Sequence, residues 1–157
     1  MRTRLVFFLP LALLLLFCAT LACAEGGPEF MDPIGLLKTI NNSRGRVVVV
    51  NFWATWCGAC RIEFKELAAV RREFSEQDLL LIGVSMDEDP DAYKNFLEKR
   101  PFNYPVYLAG LSVGVLFQVE AIPKLMVYNK KGALAVSHEG FLSSGKLSRI
   151  VNELRAQ

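Results

Sequence analysis

Apolar residues along this chain fall into runs of two kinds, continuous and periodic. Val47 to Val50 are four β-branched residues in succession, continued through Asn51 to Phe52. Such an unbroken run is the pattern of a strand covered on both faces. Leu79-Leu-Leu-Ile-Gly-Val84 is a second run of the same type. Between them a helical pattern begins at Arg61 and runs to about Ser75, with Phe64, Leu67 and Ala68 at spacings of three and four. A helix crossing between two buried strands makes them parallel neighbours, a βαβ unit. Upstream, Asp32-Pro33 is a cap and first turn for a short helix with the stripe Ile34, Leu37 and Ile40, ended by Asn41 to Gly45. Downstream, Asp91 to Arg100 predicts a helix facing the core with Tyr93, Phe96 and Leu97. Pro101 to Leu108 reads as a short extended segment, and Leu111 to Val119 as one or two helical turns. Ala121 to Tyr128 is a third strand opened by Pro123, and Asn129-Lys-Lys-Gly132 a hairpin turn into an antiparallel strand, Ala133 to Glu139. Leu147, Ile150, Val151 and Leu154 mark a closing amphipathic helix, with Ser143 or Ser144 near its cap. The fold class is α/β, a central mixed sheet flanked by helices.

The first residues follow a different rule. Arg2 and Arg4 precede a stretch from Leu5 to Ala24 without a charge, the layout of an export signal. Ala22-Cys23-Ala24 offers cleavage before Glu25. The run is also long enough to stay as a membrane anchor, and Cys23 as a lipidated terminus is a third, weaker fate because Thr20 replaces an aliphatic residue. Each fate places the remainder outside the cytoplasm, in the periplasm or at the outer face of the membrane. Residues 1–24 are thus read as signal or anchor, 25–33 as a Gly- and Pro-containing linker, and 34–157 as one domain. The 18 basic residues fall to 16 without Arg2 and Arg4, matching the 16 acidic ones. A neutral domain carries no electrostatic footprint for nucleic acid.

The chemistry concentrates in Trp53-Ala-Thr-Trp56-Cys57-Gly-Ala-Cys60, where the central strand hands over to a helix. A helix start presents unpaired N–H groups and a positive dipole end, which favour a thiolate over a thiol. Cys57 is therefore expected to have a lowered pKa, with Cys60 placed to close a ring with it. A structural zinc site needs four ligands, and beyond residue 24 the chain has only Cys57, Cys60 and His138 to offer as Cys or His. A passive staple across two residues restrains little of the unfolded chain. A working dithiol–disulfide couple is the reading that remains.

With these motifs, W-C-x-x-C after a buried strand and Ile122-Pro123 before another, the chain resembles the thioredoxin superfamily. It looks most like the exported thiol–disulfide oxidoreductases of the TlpA/ResA type, over roughly residues 34 to 155. The resemblance implies the thioredoxin fold with a TlpA-like helical insertion at about Lys94 to Glu120. It implies catalytic Cys57 and Cys60, a cis bond before Pro123, and a substrate-binding surface formed by Trp56, Ile122 and Pro123 that pairs with extended peptide. Thioredoxin itself has a buried acid at the position of Asn51, and an amide cannot move a proton. Set against the exported subgroup, Glu88 falls at its glutamate position and is expected to assist deprotonation of Cys60. Gly58-Ala59 lacks the proline common between such cysteines. No cofactor and no metal are needed. The partners implied are oxidised substrate proteins of the envelope, such as apocytochrome c, and a membrane thiol reductant. A disulfide-forming oxidase of the same fold is the alternative direction. From another class, two thiolates also suit Cu(I), although His138 on a late strand reads as packing or surface. A peroxidase would carry a threonine-containing loop before a lone cysteine, which is absent.

Overall fold

A computed structural model describes residues 29–157. The elements run β1 (Phe30–Met31), α1 (Pro33–Asn42), β2 (Val47–Trp53), α2 (Gly58–Glu73), β3 (Leu79–Ser85), α3 (Pro90–Lys99), β4 (Val106–Ala109), α4 (Leu111–Leu116), β5 (Lys124–Tyr128), β6 (Leu134–Glu139) and α5 (Ser144–Arg155). They build a six-stranded sheet in the order β1-β4-β3-β2-β5-β6. The first four of these strands are mutually parallel, while β5 runs antiparallel to β2, and β6 to β5. This is the thioredoxin arrangement, and all seven residues of β2 are buried.

Strand geometry explains how the valine run serves both layers, since successive side chains point to opposite faces. Val47 and Val49 pack with Leu67 and Val70 of α2 and Leu147, Val151 and Leu154 of α5. Val48, Val50 and Phe52 pack with Leu36 and Ile40 of α1 and Val113 and Phe117 at α4. A third cluster at the carboxyl end of β2 joins Trp53, Cys57, Cys60 and Phe64 to Tyr93 of α3. Asp32 caps α1 through Gly35 N–H, as its sequence position predicts.

Three differences from the sequence reading concern boundaries. The presumed linker, 25–33, supplies β1, whose Phe30 and Met31 pair with Leu108 and Ala109. The insertion expected to be helical also contributes a strand, β4, parallel to β3 through Gly83, Val84 and Ser85. The segment read as extended from Pro101 to Leu108 thus contains a paired strand, confined to its end at Val106–Ala109. Finally, α2 starts at Gly58 rather than Arg61, which draws Cys60 inside the helix. The signal or anchor expected at 1–24 lies outside the described residues.

Candidate active site

Cys57 is the N-cap of α2 and its sulfur accepts a hydrogen bond from the Cys60 N–H at 3.1 Å. The residue is extended (φ −79°, ψ 106°), the backbone shape that an N-cap needs to aim its side chain at the first turn. The two cysteines form a disulfide with Cα atoms 5.3 Å apart. Cys57 is 6% exposed and Cys60 fully buried, so a partner reaches the first sulfur and not the second. Burial of Cys60 follows from the helix: Cys60, Glu63, Phe64, Leu67 and Val70 form the inward stripe of α2. Behind the pair, Trp53 lies edge-on to Phe64 at 5.0 Å and within 6.0 Å of Tyr93, Phe96 and Phe102. This aromatic block fixes the strand–helix junction.

Around the mouth, Trp56 is two-thirds exposed (67%), which suits a contact surface. The Ile122–Pro123 bond is cis. Ile122 packs against the cluster that holds both cysteines, and β5 begins immediately after Pro123. Lys124 is buried, bonding the Gln118 carbonyl and Glu139 Oε1, the latter at 3.2 Å. The structure thus brings Trp56, Ile122 and Pro123 to the same end of the sheet as Cys57.

Glu88 stands three residues beyond the end of β3. It is exposed in the loop between β3 and α3, over a hollow lined by Phe30, Met86, Pro90 and Leu111. The buried acid is Glu63, one helical turn beyond Cys60 on the same stripe. Asn51 Nδ2 donates to its Oε2 at 3.1 Å and the Leu142 N–H to its Oε1 at 2.8 Å. Burial pushes its pKa up to about 7, with the two hydrogen bonds opposing that rise. Asn51 therefore does not replace an acid; it holds one. The signal was present in the sequence as an acid standing on an otherwise apolar stripe.

A second buried carboxylate also escaped the sequence reading. Asp87 accepts from the Thr55 N–H at 3.0 Å, the Thr55 hydroxyl at 2.7 Å and the Ser85 hydroxyl at 2.6 Å. Met86 N–H bonds the Trp53 carbonyl at 2.8 Å. Together these tie the end of β3 to the loop that delivers Cys57. Asp89, two residues on, caps α3 by accepting from the Asp91 and Ala92 N–H groups. His138 faces the Phe141 carbonyl at 3.4 Å. Among the described residues no three His, Cys, Asp or Glu side chains converge on a common point.

A cysteine pair at a strand–helix junction of this sheet, with a cis-proline loop at the same end, defines a class: the thioredoxin-fold protein-disulfide oxidoreductases of the TlpA/ResA-like kind. The AhpC/TSA family model matches residues 29–137, and the chain belongs to that family. Among relatives, it is 26% identical over 144 residues to the thiol-disulfide oxidoreductase ResA of Bacillus subtilis, covering 88% of this chain and 80% of that protein. It is 27% identical over 141 residues to the thiol:disulfide interchange protein HelX of Rhodobacter capsulatus, covering 87% and 78% respectively. A thioredoxin-family thiol:disulfide interchange protein of Chlorobium tepidum superposes with a TM-score of 0.65 at 25% identity, over 73% of this chain and 83% of that one. The protein is an enzyme of thiol–disulfide exchange acting on protein partners.

Proposed function

We propose that this enzyme works outside the cytoplasm as a reductant of disulfides in exported proteins, cysteine pairs awaiting haem among them. The observation that carries the reading is the Cys57 sulfur at the N-cap of α2, where the Cys60 N–H already points at it. Reduced, that sulfur is held as thiolate by the same donor and by the helix dipole. It attacks a substrate disulfide, forming a mixed disulfide and releasing one substrate thiolate. Glu63, ionised in about half the molecules near neutral pH because of its raised pKa, takes the proton of Cys60. The Cys60 thiolate then attacks Cys57 Sγ, and the second substrate sulfur leaves. The substrate gains two electrons and two protons, and the enzyme is left with the Cys57–Cys60 disulfide.

Trp56 and the Ile122–Pro123 backbone form the docking surface for an extended substrate segment, supported by their place beside Cys57. The residue 5–24 run serves as the membrane anchor, and a membrane thiol relay restores the dithiol. The test is trapping. Cys60→Ser incubated with envelope extract yields mixed disulfides through Cys57, and Cys57→Ser yields none. Alkylation of Cys57 no faster than a free cysteine at pH 7, with no adduct, defeats the proposal. The equilibrium potential of the couple against glutathione decides direction, a value near thioredoxin's (about −270 mV) marking a reductant and one near DsbA's (about −120 mV) an oxidant.

A further inference from the structure

The two sides of the sheet differ sharply in charge. Every turn of α2, α3 and α5 carries a charged residue, whereas α1 has only Lys38 and α4 none. Large apolar side chains stand in solvent on the α1–α4 side. Ile34 and Leu37 project from α1, and Leu111, Val115 and Leu116 from α4, with Val115 79% and Leu111 71% exposed. They form one surface: Leu37 and Leu116 line a shallow hollow, Leu111 and Val115 a second, and Gln118 borders both. Phe30 extends it across Gly110, lining a third hollow with Leu111 and Met86. Exposed apolar surface of this extent on a folded domain marks a contact face.

The chain's own path says what covers it. Phe30 is in register with Leu108, Leu108 with Ser85, and Ser85 with Trp53. Hence the chain enters the sheet level with the last residue of β2, at the end where Cys57 lies. Only residues 25–29 separate Phe30 from the uncharged run that ends at Ala24, and five residues span at most about 18 Å. A bilayer holding that run is within reach of Phe30 and of the apolar surface that starts there. Glu88 and Glu120 are the exposed charges among the residues lining these hollows, too few to fix a protein partner's register, whereas a bilayer asks for apolar side chains and no register.

We propose that the α1–α4 face, from Phe30 to Val115, lies on the membrane that residues 5–24 anchor, so that Cys57 works beside the bilayer surface. This rests on the anchor reading above and not on thiol exchange. Full-length protein in phosphatidylcholine vesicles carrying brominated acyl chains tests it, with a tryptophan reporter introduced as V115W or, on the opposite side, K146W. The expected result is loss of the V115W emission over the wild-type background and none for K146W. The double variant L111D/V115D should leave reduction of soluble insulin unchanged. It should also abolish quenching of an L116W reporter while the protein still sediments with the vesicles. Quenching of neither reporter, equal quenching of both, or a chain that leaves the vesicles overturns the proposal. Because the vesicles contain no other protein, a face made for a protein partner gives the first of these. Insulin reduction in the same samples keeps the failure of docking distinct from a failure of exchange chemistry.

Discussion

At the residue scale, the site depends on two buried carboxylates with different tasks. Glu63 has a pKa raised from the ordinary carboxylate value to about 7, so the folded protein binds its proton more tightly than the unfolded chain. Stability then falls as pH rises from about 4.5 to 7, and levels off above, by about 3 kcal/mol for a shift of this size. Glu63→Gln should flatten that part of the stability curve in urea titrations across pH 4 to 8. The same variant should slow the Cys60 step on the order of a hundredfold and remove the inflection near pH 7 from its rate profile. Asp87→Ala strips the acceptor from Thr55 and Ser85. We expect a loss of about 2–3 kcal/mol in chemical denaturation. The nucleophile was legible because its chemistry needs a fixed motif at a fixed junction. Glu63 was not singled out because the helical pattern was read from Arg61, which left Cys60 outside the stripe that the acid continues. The difference between Asp87, buried, and Glu88, exposed, is one residue, and only the loop's path decides it.

At the element scale, the long apolar runs announced themselves and the short ones did not. β2, β3, α2 and α5 carry enough residues to display a period and β4 lay within a segment read as extended, whereas β1 is a strand because a neighbour pairs with it. Gly83, mid-strand in β3, shows what such packing demands. A Cβ there would meet Val106 Cγ1 at 2.9 Å and Trp53 Nε1 at 3.1 Å. Gly83→Ala should cost about 1–3 kcal/mol through overpacking. It should also broaden near-ultraviolet signals from Trp53, which circular dichroism reads directly. α2 is tied to the C-terminal segment by its acids as well as by apolar contact. Glu66 accepts from the Ser144 N–H and hydroxyl at 2.9 and 2.6 Å, which holds its carboxyl below the usual range. Glu73 bonds the Ser148 hydroxyl. These two acids clasp α2 to α5.

At the scale of the whole molecule, the sheet separates the α2–α5 layer of the interior from the α1–α4 layer. Leu67→Ala on the α2–α5 side should cost about 2–5 kcal/mol and Ile40→Val on the α1–α4 side about 0.5–1.5 kcal/mol. With the sheet between them, the double variant should equal their sum within about 0.5 kcal/mol in urea unfolding. A larger departure would show that strain crosses β2. The thioredoxin order of elements was readable from hydrophobic pattern alone. The side of the sheet each helix covers was not, since that is decided by handedness and pairing rather than by any one segment.

The bond from Leu142 to Glu63 joins groups 79 residues apart. A chain emerging from a ribosome delivers both cysteines long before the amide that steadies their acid. Newly made protein therefore passes through an interval in which its thiols exist without the Leu142 bond to Glu63. A product stopped short of Leu142 would carry the cysteine motif without the amide that holds Glu63 Oε1.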